Sequence, residues 1–335
     1  MMKNNNQEEI LMINLKNALQ SLASIKKVDE YGMFQMTYFG DYGFDEFLKV
    51  GAKSDAEIEA FMSKHLFSDI SLDIKGAGCT AFIARNSKNE VLFCRNFDFP
   101  YSPSVQLFTS PGTGYASVST VNLMYLGFNQ DYLPSGLDIN SFATVISPYL
   151  PMDGANEKGV AIAILGVPEA APPFDENKVT INTTAAIRLV LDKATDIDEA
   201  IKLLKQYNLY FSYGITFQLF IADASGKSVI INYYDNDIKV TESLIASNFI
   251  PYNGLNIPEG GDEFERYDRV KEALEANGGV LSENQAIDLL IEVASKKAKG
   301  LQWSVVHNLS TMEGIIFAGG KRDNLINFSI KGNLT

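Results

Sequence analysis

The amino-acid sequence predicts an α+β layered domain in which helices pack on antiparallel sheets, and the order of its periodic segments carries that prediction. Short β-type runs begin after residue 75, a helical block at about 183–207 interrupts them, and strands return at the C-terminal end after a second helical block. The 335 residues, 46% of them hydrophobic, suffice to fill a sizeable core without metal or disulfide staples.

From residue 8 to about 66 the pattern is helical, with Ile10, Ile13, Leu19 and Leu22 at helix spacing and a second candidate helix at 55–66. Between them runs the aromatic-rich MTYFGDYGFDEFLKVGA. At Gly76-Ala77-Gly78 the texture changes to strand-like runs: CTAFIAR, VLFCRNF, ATVISPY, VAIAILG, ITFQLFIAD and SVIINYYD. Two helices are expected within 183–207, the second opened by Thr195 and Asp198 as a capping box, with Ile197, Ala200, Ile201 and Leu204 facing the core. Two more are expected at 262–276 and 283–296, the latter capped by Ser282 and Gln285. WSVVHNLS, GIIFAG and LINFSI read as the closing strands.

A formal charge of −13, with no cluster of Lys and Arg, excludes a nucleic-acid partner, because phosphate binding needs concentrated positive charge. The two cysteines, Cys79 and Cys94, have no CxxC or Cys/His spacing that holds zinc, so no metal and no cofactor is expected. The apolar stretch near the N-terminus is broken by Asn14, Lys16, Asn17, Gln20 and Ser21, which fits neither a signal peptide nor a membrane span, and a cytoplasmic location is the expectation. Whether copies of the chain form a homo-oligomer is left open.

The segment CTAFIARNSKNEVLFCRNFDF reads as a β-hairpin around the polar loop Asn86-Ser87-Lys88-Asn89. If Arg85 pairs with Glu90, Cys79 lies opposite Asn96 and within one or two places of Arg95 and Asp98. A thiol, a guanidinium and a carboxylate then converge at the open end of the hairpin, about 5 Å apart across the strands. Arg95 favours a thiolate and Asp98 orients a nearby ammonium. Arg95 and Asp98 are three residues apart, so their convergence requires a bend or strand end near Asn96. Against this, a cysteine that begins a strand is more often a small buried hydrophobe, and an Arg beside an Asp more often a structural ion pair.

The same segment resembles the one that opens the mature chain in the choloylglycine hydrolase superfamily, which includes bile salt hydrolases, penicillin V acylase, the acid ceramidase group and the isopenicillin N acyltransferases. That pattern has a nucleophilic Cys followed by RNxD, and here Arg95 and Asp98 follow Cys79 by sixteen and nineteen positions. DGANEKGVAIAIL resembles the family's NEKG stretch, SLIASNFIPYNG the region of a second asparagine, and FERYDRV the region of a late arginine. The resemblance covers roughly residues 76–318 and implies the αββα sandwich of N-terminal-nucleophile hydrolases. It implies Cys79 as nucleophile, Arg95 and Asp98 as its partners, Asn156 and Asn248 as oxyanion donors and Arg266 as a further site residue, with Arg269 a competitor for that place. On its own, Asn156 reads as a tight-turn residue, Asn248 as a turn beside Pro251 and Arg266 as a solvated helix charge.

Bile salt hydrolases carry their Cys directly after the initiator Met, whereas 78 residues precede it here. In this the chain is similar to the precursor branch, which implies self-cleavage between Gly78 and Cys79, a segment 1–78 and a hydrolase domain 79–335. The residue content of 36–48, with Tyr38, Phe39, Tyr42, Phe44, Phe47 and Leu48, is too apolar for a disordered leader. After a cut the segment is therefore expected to stay bound as a subunit. The expected partner is a small-molecule N-acyl amide: a bile salt, fatty acyl amide, N-acyl amino acid or penicillin. Three alternatives remain: an acyltransferase with the same site, a binding protein that keeps the fold, and a Cys-His protease using His65 or His307. Phe97, Phe99, Tyr101 and Phe108 are candidates for an apolar acyl pocket, and Cys94 for the core.

Overall fold

Strands rich in Val, Ile, Phe and Ala build two sheets that lie face to face, with helices on the outside of each. The structure, a computed structural model, describes residues 15–63, 78–251, 261–296 and 300–334. Among these, the first sheet has nine strands in the order β1 (Lys26–Lys27), β2 (Met33–Tyr38), β5 (Ser104–Thr109), β6 (Ser117–Asn122), β7 (Pro151–Asn156), β8 (Val160–Gly166), β11 (Phe217–Asp223), β12 (Ser228–Tyr234) and β13 (Asp237–Glu242). The second has six: β14 (Ile245–Ala246), β3 (Gly78–Arg85), β4 (Val91–Asp98), β15 (Leu301–Asn308), β16 (Glu313–Ala318) and β17 (Ile326–Ser329). β9 (Thr180–Asn182) and β10 (Asn208–Tyr210) form a separate parallel pair.

Residues 15–23 are helical (α1), followed by α2 (Phe44–Val50) and α3 (Asp55–Ser63). Helix α4 (Thr183–Lys193), followed by α5 (Ile197–Leu204), packs across β7 and β8 on the outer face of the first sheet. Helices α6 (Asp262–Ala276) and α7 (Glu283–Glu292) cover the outer face of the second. The main core fills the space between the sheets, where Phe93 of β4 stacks on Phe220 of β11 at 5.6 Å. A smaller core of Phe82, Leu92, Cys94, Val306 and Phe317 lies under α6 and α7. Cys94 is thus a core residue, its thiol pushed up by burial.

The expected helices of the second half stand where the periodicity places them, and the Ser282–Gln285 capping box of α7 is formed. The cap of α5 is shifted by one residue. Asp196 accepts from the Glu199 amide, and Glu199 closes the turn back onto Thr195. The run 143–149, expected as a strand, lies in a 3-10 helix over Ile139–Tyr149 that contains Pro148, a residue without the N–H a central strand needs.

The front of the chain is also not purely helical. Met33–Tyr38 is a strand that pairs in parallel with β5, so residues 15–63 are built into the nine-stranded sheet. Buried polar bonds strengthen the junction: the Tyr42 hydroxyl donates to the Asp192 carboxylate of α4 at 2.6 Å, and Gln35 donates to Gln106 at 2.8 Å. The second candidate helix is described only to Ser63; its last residues and His65 lie outside the described residues. Strands β5, β6 and β7, dense in Ser, Thr and Gly, escape a hydrophobicity reading although every residue in them is buried.

Candidate active site

The hairpin of β3 and β4 sets the site, and its register decides which side chains meet. Arg85 pairs with Val91 instead of Glu90, because the Asn86 amide donates to the Glu90 carbonyl and the Asn86 side chain accepts from Lys88 and Glu90, closing a five-residue loop with Asn89 at φ 62°. Cys79 therefore lies opposite Phe97, and Thr80 opposite Asn96. A one-residue shift of register reverses the shared faces. Cys79 faces the sandwich interior with Ala81, Phe97 and Arg95, while Asp98 lies on the helix side, directly opposite Gly78. The bend expected near Asn96 is not needed, since the carboxylate reaches the Gly78–Cys79 bond from the other face.

On the interior face, Arg95 is fully buried and held by Asp153 of β7, with Nε 3.3 Å from Oδ2. Its Nη1 donates to the Asn96 carbonyl, and Nη2 is left without a hydrogen-bond partner. Burial pulls the guanidinium down, but the adjacent Cys79 sulfur, Asp153 and Asp98 outweigh it and hold Arg95 above its ordinary value. Asp153 also accepts from the indole of Trp303 at 2.8 Å, and that indole stacks on Phe97 at 4.1 Å.

On the helix face, the Asp98 Oδ1 accepts from the Ser295 amide at 3.0 Å, and Oδ2 is buried with no partner. Burial pushes the Asp98 carboxyl up to about 6, against the pull of that amide, Arg266 and Arg95. Gly78 is pressed into the same place. A Cβ there would stand 2.8 Å from the Ser295 Cβ and 3.1 Å from that of Asp98, so only glycine fits.

The strand edge of Cys79 is closed by two residues from later in the chain. The Cys79 amide donates to the Asn248 Oδ1 at 2.5 Å, and the Cys79 carbonyl accepts from Arg266 Nη1. Arg266 also donates to the Thr80 hydroxyl and to the Asn248 Oδ1 at 3.0 Å. Gln218 keeps Asn248 in place by donating to the carbonyls on either side of it, those of Ser247 and Phe249. Asn248 Nδ2 donates to the Gly166 carbonyl. Arg269, the alternative to Arg266, forms an exposed pair with Glu292 and is not in the site.

Five of the sequence-derived residues, Cys79, Arg95, Asp98, Asn248 and Arg266, thus surround the bond after Gly78. Asn156 does not. Its Nδ2 donates to the carbonyls of Leu191 and Ala194, and its Oδ1 accepts from the amides of Lys158 and Val160. Those partners put its side chain on the α4 face of the first sheet, the opposite face from Asp153 and the site. His307 stands four residues beyond Trp303 on β15, about 13 Å along the strand. It is buried against Phe93 and Phe328, its imidazole pushed down to about 3, and cannot serve Cys79.

Of the four aromatics, Phe97 stacks on Trp303 and packs against Phe99, Phe108 packs against Phe328 and Tyr101 against Tyr31. The sequence reading missed Asp153 and Asp262. Asp153 carries no local signal, whereas Asp262 stands four residues before Arg266 on a helix, the spacing of an i,i+4 ion pair. Among the described residues no group of His, Cys, Asp and Glu is arranged to hold a metal ion, and no helix is long and apolar enough to cross a membrane.

Two face-to-face sheets between helix layers, with a cysteine opening a strand at their end, define the N-terminal-nucleophile hydrolase class of fold. A family profile described as linear amide C-N hydrolases, choloylglycine hydrolase family, matches residues 79–248, and the chain belongs to that family. Among solved structures, a variant of conjugated bile acid hydrolase from Clostridium perfringens superposes with a TM-score of 0.55 at 17% identity, covering 76% of this chain and 93% of that one. Penicillin V acylase from Agrobacterium tumefaciens superposes with a TM-score of 0.52 at 17% identity, covering 76% and 86%. The fold is shared with both.

Proposed function

We propose that the chain is a cysteine amidase that hydrolyses the C–N bond of an N-acyl amide, with Cys79 as nucleophile after self-cleavage between Gly78 and Cys79. The observation that carries this reading is the crowding of Arg95, Asp98, Asn248 and Arg266 around a single Gly–Cys bond. In the first reaction the Cys79 thiol attacks the Gly78 carbonyl, the C–N bond breaks as the amide nitrogen takes a proton, and water releases Gly78 from the thioester. The freed α-amino group, with an ordinary pKa of about 7.7–8.0, then takes the thiol proton in each turnover. The partnerless Asp98 Oδ2 is a ready acceptor for that group when it is an ammonium.

In the second reaction the thiolate attacks the substrate carbonyl, Asn248 Nδ2 donates its second N–H to the oxyanion, the ammonium protonates the leaving amine, and water resolves the acyl-enzyme. A cavity of about 60 Å³ lined by Ile58, Tyr125, Leu150, Met152, Ile164 and Phe217, with Thr183 and Thr184 of α4, lies on the α4 face of the first sheet. Ile58 belongs to α3, so the segment before the cut forms part of this wall. That is consistent with residues 1–78 remaining as a subunit.

The intact mass of purified protein tests the first step: fragments 1–78 and 79–335 support it, and a chain that stays whole while releasing amine overturns it. Amine release from a panel of bile salt, fatty acyl, N-acyl amino acid and penicillin amides tests the second. Transfer of the acyl group to an added amine in preference to water identifies the acyltransferase alternative.

A further inference from the structure

Asn248 has two possible orientations of its side-chain amide, and only one of them turns an N–H toward the reacting carbonyl. In the uncut chain its Oδ1 receives two hydrogen bonds, from the Cys79 amide at 2.5 Å and from Arg266 Nη2 at 3.0 Å. Both groups can only donate, so the opposite orientation would set N–H against N–H. Cleavage changes one of them. A Cys79 amine in its neutral, base form can accept as well as donate, so it no longer dictates which way the amide faces. Two groups then still specify the orientation: Arg266 at Oδ1, because a guanidinium has no acceptor, and the Gly166 carbonyl at Nδ2, because a carbonyl has no donor.

What holds Arg266 is Asp262. Asp262 Oδ2 accepts from Arg266 Nε at 3.0 Å and from the Ser295 hydroxyl at 2.6 Å, and Oδ1 accepts from the Lys296 amide at 3.1 Å. An acidic residue in the first turn of a helix is ordinarily there for the helix dipole. Asp262, 7% exposed, instead spends both oxygens on the site. Ser295 joins the two carboxylates, giving its hydroxyl to Asp262 and its amide to Asp98.

We infer that Asp262 is a positioning residue, which through Arg266 holds the Oδ1 side of the Asn248 amide in the orientation that serves the oxyanion while the Gly166 carbonyl holds its Nδ2 side, and that Ser295 ties this arrangement to Asp98. The inference rests on the amidase reading above. It predicts an asymmetry that a merely structural role does not: Asp262 matters more after the cut than before it, when the Cys79 amide still dictates the orientation.

The test is Asp262→Asn in the full-length chain. Self-cleavage, followed by intact mass, is expected within about threefold of wild type, while kcat of the cut protein on the best amide of the panel falls about 10- to 100-fold with KM changed less than about threefold. Asp262→Glu recovers most of the loss. Ser295→Ala, which keeps the amide bond to Asp98 and removes the hydroxyl, lowers kcat about 3- to 10-fold and covers the case in which Asp262→Asn does not fold. An unchanged kcat in either variant, or a parallel fall of cleavage and turnover, overturns the inference. Failure of the amidase reading shows in the wild type itself, as no amine released. In that case the Arg266 Nε–H resonance decides, identified by its loss in Arg266→Lys: its unaltered position and protection in Asp262→Asn overturns the positioning role, and its loss supports it.

Discussion

The two faces of the β3–β4 hairpin surround Cys79 in different ways. On the interior face the charges are paired: Arg95 and Asp153 are dry and bonded to each other under Trp303 and Phe97, with Arg95 Nη2 and Asp153 Oδ1 left without hydrogen-bond partners. On the helix face Asp98 makes no ion pair among the described residues: it keeps a buried oxygen without a partner and a carboxyl raised to about 6. The interior face sets the Arg95 guanidinium beside the Cys79 sulfur, and the helix face leaves an acceptor that the proposed self-cleavage would fill with an ammonium.

The largest expected effect tests whether both faces serve one atom. Cys79→Ala is expected to abolish cleavage before residue 79 and amide hydrolysis together while leaving a folded chain, checked by intact mass, amine release and circular dichroism. Activity in this variant breaks the comparison entirely.

Arg95→Met separates the faces. Turnover is expected to fall about 100-fold or more, as for loss of a preorganised electrostatic group. Stability in urea is expected to fall by about 3–5 kcal/mol, because Asp153 is left buried without its cation. Adding Asp153→Asn to that variant removes the uncompensated charge and should restore most of the stability but none of the activity.

Asp98→Asn should do the reverse in stability. A carboxyl held at about 6, above an unfolded value of about 3.9, binds its proton more tightly in the folded chain. Its contribution is most favourable below about pH 4 and is lost as pH rises through 6. In the uncut Cys79→Ala background, Asp98→Asn should therefore gain about 2 kcal/mol at pH 7, a gain that vanishes near pH 4, as read by urea unfolding at both values. Amidase activity, measured with Cys79 intact, should fall by orders of magnitude. A loss of stability at pH 7 would make Asp98 a structural ion-pair partner.

The smallest effect on chemistry is expected at Asn156. Asn156→Ala leaves two carbonyls and two amides without their partner and should cost about 1–3 kcal/mol. The kcat of the folded fraction should stay within about twofold. A 100-fold loss of kcat at unchanged stability would return Asn156 to the oxyanion site.

Local chemistry in the sequence determined a good deal. The apolar runs on either side of a polar loop specify the hairpin, Ser282 and Gln285 cap α7, and the short path from Cys79 to Arg95 and Asp98 brings all three to one strand end in either register. Tertiary structure decided the rest, because faces and partners are long-range properties. Asn86 folds its side chain into the loop, and that one-residue change of register puts Arg95, and not Asp98, beside the thiol. Asn156 is turned away from the site by the parity of β7 against α4, which no local pattern encodes. Asp153 and Asp262 acquire their roles from arginines 58 residues earlier in one case and four later in the other. Only the second distance is short enough to be read along a helix; the first exists only once the two sheets have closed on each other.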